Sequence, residues 1–97
     1  MKTLTVLVPF FNEERTVSEV VKQLALLPTG TVAQTIFVDD GSTDNSLLCL
    51  RDALKQHRLP HLVISKKNGG KASAIQAGSA ELRTSHVVIL DSDLELE

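Results

Sequence analysis

Ninety-seven residues allow one domain and leave no room for a second. An apolar fraction of 42% with 23% charged residues excludes the low-hydrophobicity, high-charge regime of disordered chains. Ten Lys plus Arg against twelve Asp plus Glu give a net charge of −2, which argues against a nucleic-acid binder that relies on phosphate attraction. The single cysteine, Cys49, cannot form an internal disulfide and has no Cys or His at metal-ligand spacing, so a reducing, cytoplasmic setting is expected. The apolar run near the amino terminus is broken by Pro9 and followed by Asn12, Glu13 and Glu14, unlike a signal peptide. No stretch approaches the roughly 18 apolar residues of a membrane span.

The chain begins with an apolar run, Leu4 to Pro9, short and without polar alternation, as in a strand covered on both faces. Val17, Val20, Val21, Leu24 and Leu27 then fall on one helical face, with Thr16 and Glu19 spaced as a capping box and Pro28 and Gly30 as terminators. Thr35 to Val38 reads as a second strand, stopped by Asp39, Asp40, Gly41 and Ser42. A second helix is expected from about Ser42 to Asp44 onward, marked by Leu47, Leu50 and Leu54 and spent by His57 to Pro60. His61 to Ser65 makes a third strand, and Lys66 to Gly70 a basic, glycine-containing turn. The third helix is expected to pack through Ala72, Ile75, Ser79 and Leu82; His86 to Leu90 forms the fourth strand, ending at Asp91, Ser92 and Asp93.

Four strands alternating with three helices imply βαβ units and a parallel sheet, the three-layer α/β/α arrangement of Rossmann-like folds. Ligands of such sheets bind beyond the carboxyl ends of the strands. Here all four ends carry polar or glycine-containing segments, more than turn formation alone requires. Asp91 and Asp93 are two apart, so in extended chain they share a side and suit a hard divalent ion such as Mg²⁺; the bland alternative is two aspartates facing water. Of Asp39 and Asp40, one carboxylate suits a nucleobase N–H or ribose hydroxyls while the other holds the turn. Asn68 to Lys71 is no P-loop, because Ser65 stands at the first Gly position and Ala72 follows the Lys. A lysine at a helix start beside two glycines is either an anion site or a solvated basic turn. His57, His61 and His86 lie at the opposite edge, and Cys49 occupies an apolar helix position.

These residues resemble the amino-terminal half of family 2 glycosyltransferases of GT-A fold, the group that includes dolichol-phosphate mannosyltransferase-like enzymes. The resemblance rests on Val8-Pro9-Phe10-Phe11-Asn12-Glu13-Glu14, Val38 to Asp44, Asn68-x-Gly70-Lys71-x-x-Ala74-x-x-x-Gly78, and Leu90-Asp91-Ser92-Asp93-Leu94. It implies a single donor-binding domain over residues 1–97, a sheet ordered 3-2-1-4, a UDP- or GDP-sugar donor, Mg²⁺ or Mn²⁺, and inverting sugar transfer. Pro9, Phe11 and Glu13 would line the nucleotide pocket with Val38; Asp39 and Asp40 would contact base or ribose; Lys71 would lie beside the nucleotide. Asp91 and Ser92 would border the ribose, and Asp93, with Asp91, would hold the metal.

Phe11 replaces the usual Tyr, keeping a ring but losing a hydroxyl. Ser92 replaces the common Ala, and Glu95 stands where many polyprenyl-phosphate enzymes have Gln, which leaves the acceptor open, a polyprenyl phosphate among the choices. The family's acceptor site and general base normally follow the Asp-x-Asp segment, so a donor-binding half without turnover of its own is expected. An unpaired outer edge on the fourth strand is expected to favour self-association. A non-catalytic nucleotide-binding module is the alternative. A receiver-like domain fits poorly, since the third strand ends in Ser65-Lys66 and not in a phosphoacceptor aspartate.

Overall fold

The run of Val and Leu after Thr3 forms β1, Leu4–Phe10, which is buried from Thr5 onward because both of its faces are covered. The computed structural model describes residues 4–28 and 30–90. The remaining elements are α1 (Val17–Ala25), β2 (Gln34–Asp39), α2 (Ser46–Gln56), β3 (His61–Ser65), α3 (Lys71–Ser79) and β4 (His86–Ile89). All three strand pairings are parallel, and the sheet order is β3-β2-β1-β4, as the resemblance implies. Because β2 and β3 extend the sheet to one side of β1 and β4 to the other, the strand order reverses between β1 and β4, where ligands of open parallel sheets collect.

Period-two alternation along β1 divides the core. Val6, Val8 and Phe10 point to the face covered by α1 and α2, where they pack with Val17, Val20, Val21, Phe37, Leu50 and Ala53. Leu7 points to the other face and meets Ile36, Val38 and Ala74, beneath α3. The layers are therefore α/β/α.

Several local expectations need correction. Helix α3 buries Ala74 and Gly78, while Ala72 and Ser79 are exposed, so its packed face is rotated from the expected one. The cause is close approach: a Cβ on Gly78 would lie 2.3 Å from Leu7 Cδ1 and 3.1 Å from Val38 Cγ2. Only a glycine lets this helix settle on the sheet at that distance. Helix α1 ends at Ala25, leaving Leu26 and Leu27 exposed. The Thr16 hydroxyl does not cap α1 and donates instead to Glu13 Oε1 at 3.2 Å, so the capping box is not formed. Helix α2 starts at Ser46, later than Ser42 to Asp44, because the side chains of that segment are engaged elsewhere.

At the amino edge, Thr5 Oγ1 donates to Gln34 Oε1 (2.8 Å) and lies 2.6 Å from Thr84 Oγ1, while Gln34 Nε2 donates to the Glu81 carbonyl (2.9 Å). These bonds fasten the entries of β1 and β2 to the segment leading into β4. Among the described residues no helix is long and apolar enough to cross a membrane.

Candidate functional site

The carboxyl ends of β1 and β2 leave the sheet side by side, since Phe10 pairs with Asp39 and the Asp40 N–H donates to the Phe10 carbonyl at 2.9 Å. The chain turns immediately after β1 at Asn12, whose φ of 53° lies in the left-handed region that asparagine tolerates better than most residues. That turn aims the Asn12 carboxamide at the segment after β2. Asn12 Oδ1 accepts from the N–H groups of Thr43 (2.8 Å) and Asp44 (3.2 Å), and the Asn12 N–H donates to Ser42 Oγ at 2.9 Å. The Glu13 N–H donates to Ser46 Oγ (2.6 Å), and Glu14 Oε1 accepts from the Asn45 N–H (2.9 Å). Residues 12–14 and 42–46 are thus laced together before any ligand arrives. The Ser46 N–H donates to Asp44 Oδ1 at 2.9 Å, satisfying an otherwise open donor of the α2 start.

The two adjacent aspartates are both buried, Asp39 at 3% and Asp40 at 4% exposure, yet they are engaged differently. Asp39 Oδ1 accepts from the Ser42 N–H at 2.9 Å, holding the turn through Gly41, whose φ is 77°. Its Oδ2 has no hydrogen-bond partner among the described residues.

Asp40, in contrast, is saturated. Its Oδ1 accepts from Lys66 Nζ (2.7 Å) and the Gly69 N–H (3.0 Å), its Oδ2 from the Gly70 N–H (2.8 Å), and its carbonyl from Asn68 Nδ2 (3.0 Å). Burial alone pushes the Asp40 carboxyl up, but the hydrogen bonds from Lys66, Gly69 and Gly70 and the Lys66 charge outweigh it and hold the group below the usual carboxylate range. Asp44 is likewise held low: burial raises it, and the Ser46 hydroxyl and N–H with the Glu14 N–H overcome that. A Cβ on Gly41 would lie 2.6 Å from the Asn68 backbone nitrogen, so the 66–70 loop packs directly on the turn after β2.

The anion at the start of α3 is therefore the protein's own Asp40 carboxylate, which takes the two glycine N–H groups that the sequence offered to a ligand. Lys71, the first residue of α3, is exposed at the same edge. Pro9 and Val38 are buried partners in the β1–β2 register, and Glu13 is half-buried. Phe11 presents a ring that is 43% exposed. Pro9, Phe11, Glu13, Val38, Asp39, Asp40 and Lys71 thus all lie at the carboxyl edge, whereas His57, His61 and His86 lie at helix and strand boundaries toward the other edge. On the far side of β1, the Leu90 N–H donates to the Leu7 carbonyl at 2.9 Å, which keeps the chain alongside β1 one residue past β4. Asp91, Ser92 and Asp93 lie outside the described residues. Within those residues no three His, Cys, Asp or Glu side chains are placed to hold a metal ion.

Sequence reasoning passed over the Asn12 lacing and the role of Lys66. An asparagine just after a strand signals a left-handed turn. Nothing local announces that Lys66 reaches back 26 residues to Asp40.

The sequence model of glycosyl transferase family 2 matches residues 5–97. Among solved structures, the chain is similar to glucosyl-3-phosphoglycerate synthase of Mycobacterium tuberculosis, with TM-score 0.79, 29% identity, and coverage of 97% of this chain and 36% of that one. The same enzyme solved with Mn²⁺, UDP and glucosyl-3-phosphoglycerate gives TM-score 0.77 at 28% identity over 94% of this chain and 33% of that one. A mannosyltransferase from Pyrobaculum calidifontis, in complex with GDP-Man and Mn²⁺, gives TM-score 0.86 at 26% identity over 94% of this chain and 27% of that one. The chain spans about a third of the length of these proteins.

Proposed function

The chain belongs to glycosyl transferase family 2, and from that premise we propose that it binds a nucleoside-diphosphate sugar at its carboxyl edge and supplies the donor half of an inverting sugar transfer. The observation that carries this reading is the state of Asp39: buried at the end of β2, one oxygen fixed by Ser42, the other without a hydrogen-bond partner among the described residues. An ionised carboxylate only accepts hydrogen bonds. Held this way, Asp39 suits the N–H of a uracil or guanine ring or the hydroxyls of a ribose. The half-exposed Phe11 ring suits packing against the base, with Pro9, Val38 and Glu13 forming the floor and wall of the pocket. Lys71 and Ser92 would border the nucleotide, Lys71 with a positive charge on the diphosphate side.

A divalent cation, Mg²⁺ or Mn²⁺, is assigned to Asp91 and Asp93, where it would offset charge on the leaving diphosphate. Structural relatives solved with Mn²⁺ and UDP or GDP-Man support a cation-dependent donor site of this kind. The acceptor and the base that activates it belong to the whole protein's activity, for which a phosphorylated acceptor, a polyprenyl phosphate included, is proposed. The four exposed residues of β4 also favour pairing of that strand with further chain or with a second copy; light scattering showing a strict monomer at high concentration would remove the second of these.

Titration calorimetry with UDP, GDP and ADP, each with and without Mn²⁺, tests the proposal. Binding of UDP or GDP that strengthens with Mn²⁺ and exceeds that of ADP is expected. Absence of binding for both UDP and GDP would refute the donor-site reading, and binding without sugar transfer by the full-length protein would favour a non-catalytic nucleotide module.

A further inference from the structure

At the amino edge, opposite the strand ends that carry Asp39 and Asp40, the last turns of α1 and α2 stand over the entries of β2 and β3 and leave a cleft of about 570 Å³. Leu24, Leu27, Val32, Leu54 and Leu59 supply its apolar walls. Of the residues that line it, Thr35 alone is buried, so Thr35 forms its floor. Thr35 stands two residues before Phe37, on the sheet face that α1 and α2 cover, where a valine of the same shape would pack without a polar atom. Its N–H donates to the Pro60 carbonyl at 3.0 Å, but its hydroxyl is the one buried side-chain oxygen or nitrogen among the described residues that has no partner. Leaving such a group unpaired is unfavourable. A single water is poorly served there, because the Pro60 carbonyl already accepts from Thr35, the Leu59 carbonyl lies 3.0 Å from His61 Nδ1, and a buried water needs about two to four polar partners.

The mouth of the cleft has a different character. Arg58 is exposed there, carries a permanent charge and has no ion-pair partner among the described residues. His57 and His61 share the lining with it, and no Asp or Glu is among the lining residues. Each helix end contributes a partial negative charge that fades within its last turn, against which Arg58 sets a full positive one.

We propose that this cleft is a second ligand site, separate from the donor edge, which takes a medium-chain monocarboxylic acid with a hydroxyl at its far end: carboxylate on Arg58, alkyl chain along the leucines, hydroxyl on Thr35 Oγ1. One permanent charge at the mouth matches a monoanion better than a phosphate dianion, and walls of leucine and valine match an alkyl chain. Thr35 and Asp39 are four residues apart on one strand, about 13 Å at the usual rise, so an occupant of the cleft leaves the end of β2 free.

A nuclear magnetic resonance titration of the full chain with ω-hydroxyoctanoate tests this, with octanoate and octanediol as comparison probes. Saturable shifts are expected at Thr35, Leu24 and Leu54. Octanoate, which lacks the far hydroxyl, and octanediol, which lacks the charge, should each bind at least about tenfold more weakly. Thr35→Val should abolish the preference over octanoate, and Arg58→Met the preference over octanediol, neither lowering the melting temperature because neither side chain has a hydrogen-bond partner among the described residues. Thr35→Ser keeps the oxygen and should keep the preference over octanoate, which separates loss of the hydroxyl from repacking of the floor.

No saturable shift at these residues, equal binding of the three probes, or a preference over octanoate that survives Thr35→Val overturns the proposal. So does its loss in Thr35→Ser. Should Thr35→Val fail to fold, the exposed Arg58→Met carries the test, and an undiminished preference over octanediol in that variant is the contradicting result. No nucleotide enters the titration, so failure of the donor-site reading leaves this outcome unaffected.

Discussion

Strands β2 and β4 both flank β1, but they live in different surroundings. Beyond Gln34 every residue of β2 is buried, and its carboxyl end is bound by side chains and amides from three loops. Every residue of β4 is exposed, and Val87, Val88 and Ile89 form an apolar strip with no helix packed over it among the described residues. One wall of the crevice is thus completed by internal contacts and needs no ligand to take shape. The other is an open surface among the described residues. The difference teaches where order in this site comes from: the β2 side is preorganised, so the proposed binding of a nucleotide there would cost little rearrangement.

Truncation on the two sides should break or confirm that contrast most plainly. Phe37→Ala on β2 removes a fully buried ring from the α1–α2 core and is expected to cost about 3–5 kcal/mol in denaturant unfolding. Val88→Ala on β4, at a half-exposed position, should cost less than about 0.5–1 kcal/mol. Comparable losses at both would show that β4 is packed as tightly as β2.

A smaller effect, on the order of 1–2 kcal/mol, is expected from Asn12→Ala, which leaves the Thr43 and Asp44 amides without their acceptor and forces a left-handed φ on alanine. Chemical shifts should change through residues 42–46 and remain still along β4. Changes of equal size on β4 would mean the two walls are not separately ordered.

The smallest expected effect is an acid sensitivity confined to the β2 side. Asp40 and Asp44 have folded-state pKa values below the ordinary 3.8, so each binds its proton less readily when folded. Their stabilisation is complete well above that value and is lost as pH falls through the lowered folded values. An acid titration followed at the Gly69, Gly70 and Ser46 amides should show these sites loosening in that range, and Asp40→Asn should flatten the response at the two glycines. A response that begins near neutral pH would contradict the assignment to carboxylates.

Much of this architecture was legible in the residues. Uninterrupted Val and Leu runs between amphipathic segments are enough for a parallel α/β sheet, and the strand order came with the family resemblance, not from patterning. The rotated face of α3 was hidden because Gly78 reads as a weak helix residue, whereas its value lies in the space it leaves for Leu7. The start of α2 was placed early because Ser42 and Asp44 look like helix caps; Ser42 instead accepts from Asn12, and Asp44 serves the Ser46 amide two residues on. Sequence reasoning also expected one of Asp39 and Asp40 to hold the turn, as Asp39 does through the Ser42 amide. It had no means of dividing them, since the division depends on Lys66, Gly69 and Gly70, which are distant in the chain and local only in the fold.

The central claim is that the unpaired oxygen of Asp39 receives the nucleoside of a sugar donor. Calorimetry of UDP and GDP with Mn²⁺ against Asp39→Asn tests it most directly, because the Ser42 amide can still bond the remaining carbonyl oxygen and the turn should persist. A loss of at least about tenfold in affinity, with an unchanged unfolding midpoint, is expected for removal of an ionic acceptor. Native affinity in the variant would contradict the account.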